Sequence, residues 1–274
     1  MAQSTESISL LELLVKTHYH TVTTAIGNQD FDKYICHGSG FIVQYKDTPF
    51  FVTADHVLHP NDYDCEIKIR TGIDNTVSIY NNVRPDTNSI STVCTPLGGF
   101  YYMEGLNLTK PEDLPDLIDV TVCIMKKINF EYPFLTDEKE FQDKDTGRGQ
   151  CKFILTEANF AEPDANNNYF IYGKIRTQLK GVMLHRENTL KENLKYVYKS
   201  GDYFLLNTPD VISDISEWAG LSGSPVFDNQ GSCIGVLCSV SPGSNSIWVM
   251  PLEKVKLLMD IAIMQENIQQ QTKK

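Results

Sequence analysis

The sequence predicts an all-β chain built in two halves with a helix at each end, and three observations predict it. Short β-type apolar runs follow one another from residue 41 to 125 and again from residue 151 to 250. Gly, Pro and Asn punctuate them. A polar, charged stretch without period, residues 130–149, separates the two series and marks the connection between the halves.

Ahead of the first series, Ile8, Leu11, Leu14 and Val15 recur at helical spacing behind Ser7, a residue type that caps helices. Residues 8–20 are therefore expected to form an amphipathic packing helix. Strands are then expected at residues 41–45, 49–53, 66–70, 76–80 and 119–125. The second series places them at 151–155, 169–176, 181–185, 195–198, 203–206, 224–227, 233–240 and 246–250. After Pro251, Val255, Met259 and Ile263 repeat every four residues, so a helix should close the chain to about residue 269. The expected division is 1–30 helical segment, 31–135 first β unit, 136–250 connection and second β unit, and 251–274 helix and tail.

With 274 residues, 41% hydrophobic and 22% charged, the composition is that of a globular protein. Lys and Arg total 24 against 35 acidic residues, and the net charge of −11 argues against nucleic-acid and anionic-membrane partners. No apolar stretch is long enough to cross a bilayer, and residues 1–7 are polar with no basic region ahead of an apolar run. A cytoplasmic, non-exported protein is expected. The seven cysteines are odd in number, several lie inside apolar β-like runs such as residues 121–124, and none forms C-x-x-C. They read as buried thiols of a reducing compartment. No cofactor is expected. No metal is expected either, because the His18/His20 and His56/His59 pairs lack the H-E-x-x-H pattern and a third ligand.

Three segments carry chemistry. Gly220-Leu221-Ser222-Gly223-Ser224-Pro225 precedes the apolar Val226-Phe227. A serine that attacks a carbonyl must sit on a tight turn beside backbone N–H groups that receive the oxyanion, and glycine permits both the turn and the close approach. Residues 51–58 form an apolar strand that delivers His56 at its end, and an imidazole is the side chain suited to move a proton near neutrality. His18, His20, His37, His59 and His185 have no comparable setting. Asp119 opens the nearly continuous apolar run to residue 125, where a half-buried carboxylate needs a partner such as an imidazole N–H. Asp116 lies three residues earlier, on the opposite side of an extended segment and in what reads as loop, so Asp119 is the choice. Taken singly, these segments also read as a surface Gly/Ser turn, a structural histidine and an Asp ending a loop.

Their joint order, His56, Asp119 and Ser222 at intervals of 63 and 103 residues, is that of the chymotrypsin-type triad. Gly38-Ser39-Gly40-Phe41-Ile42-Val43, Thr53-Ala54-Asp55-His56, Asp119-Val120-Thr121-Val122 and Gly220-Leu221-Ser222-Gly223-Ser224-Pro225 resemble the successive signature segments of trypsin/chymotrypsin-superfamily serine peptidases. The likeness covers residues 36–252 and is nearest the compact, disulfide-free bacterial branch. It implies two six-stranded antiparallel β-barrels with the site in the cleft between them. It also implies an oxyanion hole from the N–H groups of Gly220 and Ser222, and a stand-alone endopeptidase acting on a protein or peptide.

Val57 stands where secreted animal enzymes carry a cysteine, and Leu221 where they carry the Asp that pairs with a newly cut N-terminus, so no zymogen cleavage is expected. The resemblance places the substrate pocket at Ser216, Glu217, Leu237, Cys238 and Ser239. Ser216 stands where a basic-specific pocket has its carboxylate and Leu237 where glutamyl endopeptidases have histidine, so a small or medium apolar side chain is expected on the acyl side of the cut. A catalytically silent binding module of the same fold, an esterase or acyltransferase with the same triad, and a regulatory protein partner stay open.

Overall fold

The computed structural model describes residues 8–27, 33–64, 68–83, 92–105, 109–110, 116–125, 134–136, 138–180 and 183–272. In chain order the elements are α1 (Leu10–Thr17), β1 (Tyr19–Thr24), β2 (Tyr34–Tyr45), β3 (Thr48–Thr53), α2 (Asp55–Leu58), β4 (Thr76–Val83), β5 (Thr92–Pro96), β6 (Phe100–Gly105) and β7 (Asp116–Ile124). There follow β8 (Glu140–Phe141), β9 (Lys144–Asp145), β10 (Leu155–Thr156), β11 (Tyr169–Lys180), β12 (Met183–Ser200), β13 (Tyr203–Asn207), β14 (Pro225–Asp228), β15 (Cys233–Val240), β16 (Ser246–Pro251) and α3 (Leu252–Thr272).

The all-β class with helices at both ends is as the sequence predicts. The C-terminal half closes into a six-stranded antiparallel barrel of order β11-β12-β13-β16-β15-β14. The N-terminal half orders its strands β5-β4-β1-β2-β3-β7-β6 and curls, since residues 97–99 alone join its two edge strands. Closure removes open strand edges, which is how β proteins of this kind avoid edge pairing with other chains.

Several boundaries differ from expectation. The first helix stops at Thr17, capped by Ser9, whose hydroxyl accepts from the Glu12 N–H at 3.2 Å, while the expected cap Ser7 lies outside the described residues. The chain leaves the helix because Tyr19-His20-Thr21-Val22-Thr23-Thr24 is a β-branched and aromatic run that pairs with β2 on one side and β4 on the other. Residues 68–70 are not strand, and of 151–155 only Cys151 makes an isolated bridge before β10. Strands β5 and β6 lie where none was expected. Residues 140–145 of the polar stretch form a small hairpin, β8 with β9. The six described cysteines are all free thiols, and no described helix is long and apolar enough to cross a membrane.

The largest core cluster lies between the halves and holds them together. Phe41, Phe50, Val52, Val120 and Val122 from the first sheet pack with Phe227, Val236, Cys238 and Met250 from the barrel. Leu14 and Val15 of α1 and Val255, Leu258, Met259 and Ala262 of α3 complete the same cluster, so both terminal helices are mortar between the β units. Asp260 on α3 ties the helix to β2 by accepting from Tyr45 Oη at 3.0 Å and Lys46 Nζ at 2.7 Å. A second cluster, including Ile171, Leu206, Val226, Ile234 and Val249, fills the barrel.

Leu258 is 1% exposed in the shared core. Leu258→Ala should therefore lower unfolding stability by about 2–5 kcal/mol through lost burial and the cavity left behind. Chemical denaturation measures it, and an unchanged midpoint would show that α3 is peripheral.

Candidate active site

His56 stands in the one-turn helix α2, which begins directly after β3. The turn is held by a side chain from another strand. Asp119 Oδ1 accepts the His56 backbone N–H at 3.0 Å, and Asp119 Oδ2 lies 2.9 Å from His56 Nδ1. A carboxylate oxygen can only accept from the ring, so Nδ1 carries the proton and Nε2 is left as a base. Asp119 is 5% exposed on β7, whereas Asp116 lies exposed at the start of that strand. Burial pushes the His56 imidazole down, but the Asp119 carboxylate beside it outweighs this, and the net shift is above the ordinary 6.5. Burial likewise raises Asp119, and the His56 charge and hydrogen bonds more than reverse it, leaving the carboxyl below its ordinary value.

Ser222 sits on the turn between the short helical turn Ile215–Glu217 and β14. Gly220 has φ +107° and a Cβ there would lie 2.6 Å from the Lys174 carbonyl oxygen. Gly223 has φ +89° and a Cβ there would lie 2.1 Å from the Ser39 carbonyl oxygen. No other residue fits either place. Within the turn the N–H groups of Leu221, Gly223 and Ser224 donate to the carbonyls of Trp218, Leu237 and Leu221. Among the described residues those of Gly220 and Ser222 have no backbone acceptor. Ser224 is fully buried with its hydroxyl unpartnered, while Ser222 lines the cleft.

That cleft, of about 1180 Å³, runs between the two halves and is lined by His56, Asp119 and Ser222 together. No hydrogen bond joins Ser222 to His56. Such contacts commonly tighten only in the reacting complex. Of the expected pocket residues, Leu237, Cys238 and Ser239 line the cleft. Ser216 and Glu217 do not: the Ser216 hydroxyl turns to Asp214 Oδ2 at 2.8 Å, and Glu217 pairs with Lys191 at 3.6 Å. Ile215, Trp218 and Ala219 present themselves in their place, because a 3₁₀ turn repeats every three residues, which puts Ile215 and Trp218 on one face and turns Ser216 and Glu217 away from it.

Two sets of contacts were not foreseen from the sequence, the first of them made by the expected pocket residue Cys238. Cys238 Sγ lies 3.0 Å from the Asp119 carbonyl oxygen, and burial, reinforced by Asp119, pushes its thiol well above the usual range, so it remains protonated beside the pair. Beneath α2, the buried Asp55 binds His59 Nδ1 at 3.0 Å, Tyr63 Oη at 3.0 Å and Arg70 Nη1 at 2.6 Å. Arg70 also reaches Asp62 at 3.2 Å. Tyr63 in turn packs its ring edge-on to that of His56, 5.8 Å between centroids. The Asp55/His59 spacing of four residues on one helical turn was the signal for this support. Among the described residues no group of three or more His, Cys, Asp or Glu side chains is placed to hold a metal.

No known protein family matches the chain, and no curated protein matches it. Solved structures do. Deg5 is similar over 90% of this chain and 88% of its own, with 17% identity and a TM-score of 0.46. The serine endoprotease from Yersinia pestis is similar over 93% and 67%, with 13% identity and a TM-score of 0.44. Catalytically active tobacco etch virus protease, complexed with product, is similar over 92% and 78%, with 11% identity and a TM-score of 0.44.

The His56 ring should titrate with a midpoint above 6.5 by NMR, and in Asp119→Asn that midpoint should fall, since the carboxylate that favours the imidazolium is gone. Any reaction needing neutral His56 gains rate as pH rises through the midpoint. A midpoint unmoved by Asp119→Asn would show that the pair is not coupled.

Proposed function

We propose that the chain is a serine endopeptidase in which Ser222 is the nucleophile, His56 the general base and acid, and Asp119 the group that orients His56. The observation that carries this reading is the Asp119 carboxylate taking both the backbone N–H and the Nδ1–H of His56, beside a cleft that Ser222 also lines. With Nδ1 so engaged, Nε2 accepts the Ser222 proton as Oγ attacks the scissile carbonyl carbon. The tetrahedral oxyanion is received by the N–H groups of Gly220 and Ser222, a role supported by their lack of backbone acceptors. Collapse breaks the C–N bond, and the proton held on Nε2 passes to the leaving amine. Water then attacks the acyl-enzyme, giving one proton to Nε2, and the carboxylic acid departs as Ser222 recovers its proton.

Leu221 supports activity without processing, because it is packed in the barrel core and offers no carboxylate to a newly formed ammonium. The unprocessed chain should label with a fluorophosphonate probe at Ser222. Ser222→Ala should abolish labelling and lower peptide turnover by about a millionfold, with circular dichroism unchanged. Retained turnover, or labelling at Ser224, contradicts the assignment. Labelling with ester but no peptide hydrolysis would instead mark an esterase.

For the substrate, the cleft wall includes the apolar Trp218, Ala219 and Leu237 with Ser239, none of which offers a carboxylate to a cation, while the cleft's carboxylates besides Asp119 are those of Asp116 and Asp202. Small or medium apolar side chains suit it. A peptide-library cleavage profile should show them on the acyl side of the cut; one dominated by Lys, Arg or Glu overturns this.

A further inference from the structure

The nucleophile turn belongs to the barrel, yet it is gripped from the other half by a single residue of β2. Ser39 donates its backbone N–H to the Ser222 carbonyl at 2.8 Å. Its hydroxyl donates to the Gly220 carbonyl at 2.6 Å. Its own carbonyl lies against Gly223, closely enough to exclude any Cβ, and accepts from Thr53 Oγ1 at 2.7 Å, a hydroxyl that also faces Gly223.

The hydroxyl has a second partner, His18 Nε2 at 2.8 Å. A hydroxyl carries one proton and a carbonyl oxygen can only accept, so the Ser39 proton lies on the Gly220 side. The Ser39 oxygen must therefore accept from His18, which fixes His18 as the Nε2–H tautomer and leaves Nδ1 without a partner, as it is found. The hydrogen bonds run in one direction, from His18 through Ser39 to Gly220, and each polarises the next. His18 is buried between α1 and β1, with its ring edge-on to Tyr172 at 5.4 Å between centroids. Burial, then the cations Lys152, Lys174 and Arg186, hold its pKa well below 6.5, so the neutral form persists wherever the fold does.

From this geometry we infer that Ser39, oriented by His18, is a positioning residue that locks the Gly220–Gly223 turn with the N–H groups of Gly220 and Ser222 turned to the cleft. The inference rests on the peptidase reading for its effect on rate, though not for its effect on the turn. By pinning the carbonyls of Gly220 and Ser222 to β2, the clamp fixes two peptide planes adjacent to those that carry the oxyanion donors. A small misplacement of such donors weakens transition-state stabilisation while leaving substrate binding nearly intact.

Two readouts on Ser39→Ala, His18→Leu and His18→Gln separate the possibilities. The first is amide hydrogen exchange over residues 218–224 in the full chain, which requires no activity. Loss of the clamp in Ser39→Ala or His18→Leu should speed exchange there by about tenfold. In His18→Gln the amide Nε2 can donate to Ser39 in place of the imidazole, so exchange should stay near wild type. The second readout is steady-state kinetics. Ser39→Ala and His18→Leu should lose about tenfold to hundredfold in kcat with little change in KM. The acid limb of the pH profile should not move, because His56 is untouched, and His18→Gln should recover most of the rate.

Unchanged exchange in Ser39→Ala overturns the clamp. So does faster exchange in an active enzyme whose kcat is unaltered, or a Gln variant no better than Leu. If exchange rises as expected but the wild type hydrolyses no peptide, the clamp stands and the peptidase reading is what fails.

Discussion

The contact between Gly223 and the Ser39 carbonyl is the constraint on which the arrangement of the cleft depends. The Gly220–Gly223 turn grows from the barrel, while His56 and Asp119 grow from the first sheet, so their mutual placement is only as accurate as the seam between the halves. That seam is partly nonspecific, made of aliphatic and aromatic side chains from both sheets and both terminal helices. Packing of this kind holds two bodies together but tolerates small slides. The direct hydrogen bond from Ser39 N–H to the Ser222 carbonyl, together with a glycine pressed on a carbonyl, removes that freedom at the one point where it matters.

The same logic governs the first half of the site. A one-turn helix such as α2 is too short to be stable on its own. Asp119 holds it by accepting a backbone N–H of its first turn, and with its other oxygen it sets the ring of the residue it has just anchored. The carboxylate is almost wholly buried, a costly position that is offset by these two donors. The helix is braced further by the network of its own Asp55 with His59, Arg70 and, through Arg70, Asp62, while the His56 ring itself is held by Asp119 and packed edge-on against Tyr63.

Much of this was legible in the sequence because it rests on local rules. Glycines at 220 and 223 around a serine, an apolar strand ending in histidine and an aspartate opening another strand are each visible in a short window, and the three side chains line one cleft. The terminal helices and most barrel strands were legible from apolar period. What was not legible depends on contacts distant in the chain. β1 was merged into the first helix because Ile8 to Val15 continues without punctuation into a β-branched run, and only pairing with β2 and β4 decides the boundary. Ser216 and Glu217 were placed in the pocket by the family resemblance, whereas the short helical turn, with Ser216 bonded to Asp214, lets Ile215 and Trp218 line the cleft instead. The link from His18 to Ser39 joins the residue between α1 and β1, and one of β2, to the barrel, and no spacing pattern announces it.

The central claim, that Ser222 is acylated with His56 as its base, is tested most directly by trapping the intermediate. The intact protein is mixed with an activated ester, quenched in acid, digested and mapped by mass spectrometry. The account predicts one acyl group, on the peptide bearing Ser222, formed at a rate that rises with pH through the His56 midpoint and is lost in His56→Ala. An acyl group on another residue, or one on Ser222 that forms equally fast without His56, would contradict it.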